Sequence, residues 1–189
     1  MKNSFLVLTV CFAAWSNSVA QVVATTGKSK WGGMPNFDSL YRGKQYLPFN
    51  LTTVEGKPVN SDNTTGKVTL LNFWFESCPG CRAEFTEVNE IYKRLKGDRN
   101  CEFVAITFDD AASLPNFIKQ NNLQFPIATT GDVNLLHRLN YGMGCPSLVL
   151  IDKNGKIAHI GNFAVNMTDE KGRYSVAVDT LIKWVKELE

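Results

Sequence analysis

The sequence predicts one α/β domain built on a mixed central sheet flanked by helices, and three observations carry that reading. The nearly unbroken apolar run Val68-Thr69-Leu70-Leu71-Asn72-Phe73-Trp74-Phe75 has the composition of a central strand covered on both faces. Strand-like and helix-like segments alternate after it. A hairpin signal and an amphipathic helix then close the chain. With 189 residues, 44% of them hydrophobic and 20% charged, the chain suits one domain of ordinary size plus short extras. It carries no internal repeat.

The elements follow in order. Lys2, an apolar stretch over residues 5–15 and the small-residue ending Ser18-Val19-Ala20 form the plan of a secretory leader over residues 1–20. Cleavage is expected after Ala20, so the mature chain would be exported, periplasmic or secreted. An uncleaved leader would be its one membrane contact. Residues 21–45, rich in Gly, Ser, Thr and Lys, read as a loose N-terminal extension, and residues 46–189 as the domain. Alternation over residues 47–51, with a turn inside Val54-Glu55-Gly56-Lys57-Pro58-Val59, predicts a β-hairpin. A turn at residues 61–66 leads into the central strand. From Pro79 the spacing turns helical, with Phe85, Val88, Ile91, Tyr92 and Leu95 on one face and Gly97 as the stop. Strands are expected at residues 101–108 and 125–128, and helices at 112–121 and 133–139. Lys153-Asn154-Gly155 joins the closing hairpin, and residues 176–188 form the last helix.

Composition also excludes. A formal charge of +2 without a long Lys/Arg run gives no footprint for nucleic acid. Loss of the leader removes Cys11 and leaves Cys78, Cys81, Cys101 and Cys145, too few for the disulfide framework of a small secreted domain. His137 and His159 lie far apart and read as surface or packing residues. No metal or cofactor is expected. Three sequons begin at Asn50, Asn63 and Asn166, and carry meaning only in a host that secretes through an endoplasmic reticulum.

The chemistry-bearing motif is Cys78-Pro79-Gly80-Cys81, where the buried strand turns into a helix. Side chains at i and i+3 share a helix face about 5–6 Å apart, near the reach of a disulfide. Cys78 would sit at the helix N-terminus, whose free N–H groups favour a thiolate, and Pro79 suits the first turn. Cys78 is therefore expected to be the exposed nucleophile and Cys81 the more buried resolving thiol. A zinc site would need a second Cys or His pair, and c-type haem attachment would need His where Arg82 stands. A plain structural disulfide stays open at this point.

The run Leu71-Asn72-Phe73-Trp74-Phe75-Glu76-Ser77-Cys78-Pro79-Gly80-Cys81-Arg82-Ala83-Glu84-Phe85 resembles the active-site segment of the TlpA/ResA branch of the thioredoxin superfamily. Gly144-Cys145-Pro146-Ser147-Leu148-Val149-Leu150-Ile151-Asp152 resembles its cis-proline segment, and residues 109–140 resemble its strand–helix insertion. The resemblance implies a thioredoxin-like fold and a thiol–disulfide oxidoreductase, acting on protein thiols and disulfides and fed by an upstream electron donor. It further implies a reductive direction, a cis Pro146 beside the cysteine pair, and a substrate surface formed by Pro79, Gly80, Cys145 and Pro146. It makes Glu84 an acid assisting Cys81, its carboxyl pKa raised. Cys145 is expected to stay unpaired near Cys78, as a third thiol able to trap or rearrange mixed disulfides. Two departures are Ser77, where the family usually has Trp, and Asn72, where thioredoxin has an acid. Two other readings are a peroxiredoxin-like peroxidase, disfavoured by Phe75 where a Thr or Ser is needed, and a noncatalytic binding module on the same fold.

Overall fold

A computed structural model describes residues 36–161 and 175–189. The expected leader, the sequon at Asn166 and most of the expected extension lie outside them. The elements are α1 (Phe37–Tyr41), β1 (Asn50–Thr53), β2 (Pro58–Asn60), α2 (Ser61–Thr64), β3 (Val68–Phe73), α3 (Pro79–Ala83) and α4 (Phe85–Leu95). They continue with β4 (Cys101–Thr107), α5 (Leu114–Gln120), β5 (Ile127–Thr129), α6 (Val133–Leu139), β6 (Ser147–Ile151), β7 (Ile157–Gly161) and α7 (Ser175–Leu188). The strands form one sheet in the order β2-β1-β5-β4-β3-β6-β7. β3, β4 and β5 run parallel, and the remaining pairings are antiparallel, which makes the sheet mixed.

β3 sits inside this sheet and is buried at every position. Its side chains alternate between two cores, as strand geometry requires. Val68, Leu70 and Trp74 join the core containing α4 and α7, while Leu71 and Phe73 join the one containing Leu136 and Leu139 of α6. Covering both faces is what permits the run to be apolar throughout. β4 repeats the plan, with Phe103 and Ala105 on one side and Val104 and Ile106 on the other. The expected insertion supplies α5, β5 and α6, and β5 lies between β4 and β1.

Two segments differ from expectation. Residues 36–45 are folded onto the domain rather than loose. Asn36 caps α1 by accepting from the Ser39 N–H at 3.1 Å, and Asp38 pairs with Arg42. The Gly43 N–H donates to Ile157 C=O at 2.7 Å, and Tyr41 packs on Tyr141 with ring centroids 4.3 Å apart. Ile157 and Tyr141 are remote in sequence, so local periodicity carries no trace of them. The second difference is that the helix expected from Pro79 is two helices, parted at Glu84. There the Glu84 N–H donates to Cys81 C=O at 3.1 Å, an i−3 bond in place of the helical i−4. α4 then runs to Leu95 with Lys96 as its C-cap, and Gly97 at φ +89° accepts the left-handed turn that follows.

Candidate active site

The site forms where β3 hands over to α3. Trp74 leaves the strand buried, its backbone N–H donating to Ile106 C=O at 3.0 Å and its ring edge-on to Phe85, centroids 5.4 Å apart. The chain turns through Phe75, Glu76 and Ser77 and enters α3 with Cys78 as N-cap and Pro79 in the first turn. Pro lacks only an N–H that the first turn leaves unpaired anyway. The Cys78 Sγ accepts the Cys81 N–H at 3.1 Å, so its sulfur takes the place a capping oxygen usually fills.

Cys78 and Cys81 are joined in a disulfide, with Cα atoms 5.3 Å apart. Both are buried, at 3% and 2% exposure, so the expected contrast between an exposed and a covered cysteine is absent in this oxidised form. Both belong to the core that holds Trp74 and Phe85, which explains their burial.

Across from α3 stands the loop before β6. Its Cys145–Pro146 bond is cis. A Cβ on Gly80 would lie 3.3 Å from Pro146 Cδ, so the two segments touch and glycine at 80 is what lets them approach. Asn140, fully buried, ties the loop down: its Nδ2 donates to Gly144 C=O at 2.9 Å, and the Ser147 hydroxyl donates to the same carbonyl at 2.7 Å.

Cys145 is unpaired and half-buried. Burial, then the Asp109 carboxylate, push its thiol up to about 12, which works against the trapping role expected of it, since the thiolate is the attacking species. Cys101 is also unpaired; burial, then Asp98, push it up to about 12 as well. The two could not have bonded. Cys101 pairs with Val68 at the start of β3, whereas Ser147, just past Cys145, pairs with Phe73 at its end. Five residues of strand separate them by about 17 Å, against the roughly 7 Å a disulfide can bridge.

Glu84 is buried at 2% exposure, at the break between α3 and α4, and its backbone is bonded to that of Cys81. Burial of a carboxyl needs a purpose or a partner, and a helix-surface charge is thereby ruled out. Asn72 is buried too, as a neutral residue in β3. Of the two histidines, His137 is exposed and His159 stacks on Trp184 with ring centroids 4.0 Å apart. Among the described residues no cluster of His, Cys, Asp or Glu is placed to hold a metal ion, and no helix is long and apolar enough to cross a membrane.

Sequence reasoning missed the second loop of the site. The Asp109 carboxylate accepts the Glu76 N–H at 2.7 Å and the Thr107 hydroxyl at 2.5 Å. The Ser113 hydroxyl donates to the Glu76 carboxylate at 2.7 Å. The only local signal was Thr107-x-Asp109, a spacing suited to a short side chain–backbone turn, and indeed the Asp109 N–H donates to Thr107 Oγ1 at 3.2 Å. Its link to Glu76, 33 residues away, has no sequence signature.

A mixed sheet with a dithiol pair at a strand-to-helix turn and a cis-proline loop against it defines a thioredoxin-like redox protein. The profile of the AhpC/TSA family matches residues 43–160. The thiol–disulfide oxidoreductase ResA of Bacillus cereus is 34% identical over 121 residues, covering 64% of this chain and 69% of that protein. A structure from Chlorobium tepidum, described as a proposed thiol:disulfide interchange protein DsbE, is 25% identical with a TM-score of 0.61, covering 78% of this chain and 96% of that one. The thioredoxin domain of a thiol–disulfide oxidoreductase from Bacteroides vulgatus shares the fold, with a TM-score of 0.60 at 21% identity over 76% of this chain and 97% of that one. The chain belongs to the AhpC/TSA family and, within it, to the ResA/TlpA-like members of the thioredoxin superfamily. It is a thiol–disulfide oxidoreductase.

Proposed function

We propose that the chain is an exported reductase of protein disulfides, in which Cys78 attacks, Cys81 resolves and Glu84 moves the proton. The Cys78 thiolate attacks one sulfur of a substrate disulfide, forming a mixed disulfide and releasing the other substrate sulfur as a thiolate, which takes up a proton. Glu84 accepts the Cys81 proton as Cys81 attacks Cys78 Sγ. That closes the Cys78–Cys81 bond and releases the second substrate thiol. The substrate gains two electrons, and an upstream dithiol donor restores the reduced protein. Pro79, Gly80, Cys145 and Pro146 form the surface that the substrate strand meets.

The observation that carries this reading is the hydrogen bond from the Cys81 N–H to Cys78 Sγ. Once Cys78 is reduced, a donor already aimed at its sulfur favours the charged form. The buried position of Glu84 beside Cys81 supports its proton role. Export rests on the leader pattern in residues 1–20. Insulin reduction with a dithiol donor tests the activity. Wild type should precipitate the insulin B chain, while Cys78→Ser should be inert; equal catalysed rates for the two would dismiss the dithiol mechanism, and a wild type no faster than the donor alone would favour a binding module.

A further inference from the structure

The exchange mechanism leaves one group beside the active site unused, the carboxylate of Asp109. It lies just past the end of β4 and bonds the turn that carries the dithiol. Its Oδ2 accepts the Glu76 N–H, two residues before Cys78, and the Ser113 hydroxyl holds the Glu76 side chain as well. The Cys78 N–H in turn donates to Phe75 C=O at 3.1 Å, so the turn from Phe75 to Cys78 is a hydrogen-bonded unit hung from Asp109. The Asp109 charge, after burial, also pushes the Cys145 thiol up. Asp109 is itself held firmly. It accepts from Thr107 through the same Oδ2, and its C=O accepts the Thr129 hydroxyl of β5 at 2.6 Å.

We propose that Asp109 is a positioning residue for the exchange reaction: it anchors the turn that carries Cys78. The other charged groups near that turn are Glu76 within it, Asp110 next to Asp109, Glu84 after Cys81, and Arg82, which lies over the Phe117 ring at 5.5 Å. The Asp109 carboxylate bonds the backbone of the turn from outside it.

Asp109→Asn and Asp109→Ala in the full chain separate the bond from the charge. Asn keeps an oxygen for Glu76 and Thr107 but loses the charge; Ala loses both. Insulin reduction should slow at least about tenfold in Asp109→Ala and distinctly less in Asp109→Asn. Wild-type insulin reduction in Asp109→Ala, or equal losses in the two variants, would overturn the proposal. The proposal rests on Cys78 as the attacking thiol: an inert wild type would mark failure of that reading, and an active wild type matched by Asp109→Ala failure of this one.

Discussion

At the scale of the residue, the site turns on what each side chain is bonded to rather than on which residues are present. Glu84 shows this best. It is buried at the joint between α3 and α4 with its backbone tied to Cys81, next to the resolving thiol whose proton it is proposed to move. Glu84→Gln, which keeps the shape, should slow turnover by about 100-fold, the usual worth of a positioned acid or base. The loss should fall on the resolving step, so mixed disulfides accumulate and the pH–rate profile loses one limb. A profile of unchanged shape would place Glu84 among structural residues. Motif spacing made Cys78 and Cys81 legible, while Glu84 and Pro146 were legible through the family resemblance. The sequence could not show that Cys78 is as covered as Cys81, because that depends on Trp74 and Phe85 closing over the pair. Nor could it show Asp109, whose partner is 33 residues away.

At the scale of the element, local pattern predicts what local forces decide. β3, β4, α6 and the hairpin of β6 and β7 were all readable from period and turn residues. α1 was not, since it is short and held by tertiary partners: Ile157 C=O, Tyr141 and the network of Asp38, Arg42 and His159. His159 takes part in that clasp as a stacked, half-buried ring. Burial, then the charge of Arg42, hold it below its ordinary value; Asp38 and Glu187 pull the other way. The folded chain therefore binds a proton at His159 less readily than the unfolded chain, so stability falls as pH drops through about 6.5. Denaturant unfolding of wild type and His159→Gln across pH 5–8 should show a shallower slope in the variant. Identical slopes would mean that His159 titrates alike in both states.

At the scale of the whole molecule, the sheet brings the dithiol turn and the cis-proline loop to one end, because β3 and β6 are antiparallel neighbours. The end of β3 therefore meets the start of β6, and Gly80 reaches Pro146. This juxtaposition was legible only through family resemblance, since strand order across 65 residues leaves no periodic trace. A reductive duty belongs to this scale as well. A strong oxidant needs a strongly stabilised reduced form, and among the described residues the stabilisation seen at Cys78 is its helix N-terminal place and one N–H on its Sγ. Equilibration with a glutathione buffer should give a reduction potential below about −150 mV for the Cys78–Cys81 couple; a value above that would make the chain an oxidant.

Exchange through Cys78, with Cys81 resolving, is tested most directly by trapping the intermediate. Reduced Cys81→Ser protein is mixed with a disulfide-containing peptide and analysed by mass spectrometry without reductant. The peptide should be found linked to Cys78 as a stable mixed disulfide, and the wild type should release it with Cys78 and Cys81 joined. A peptide linked to Cys145 instead, or an adduct on Cys81 in the Cys78→Ser protein matching the yield on Cys78, would contradict the assignment of the attacking thiol.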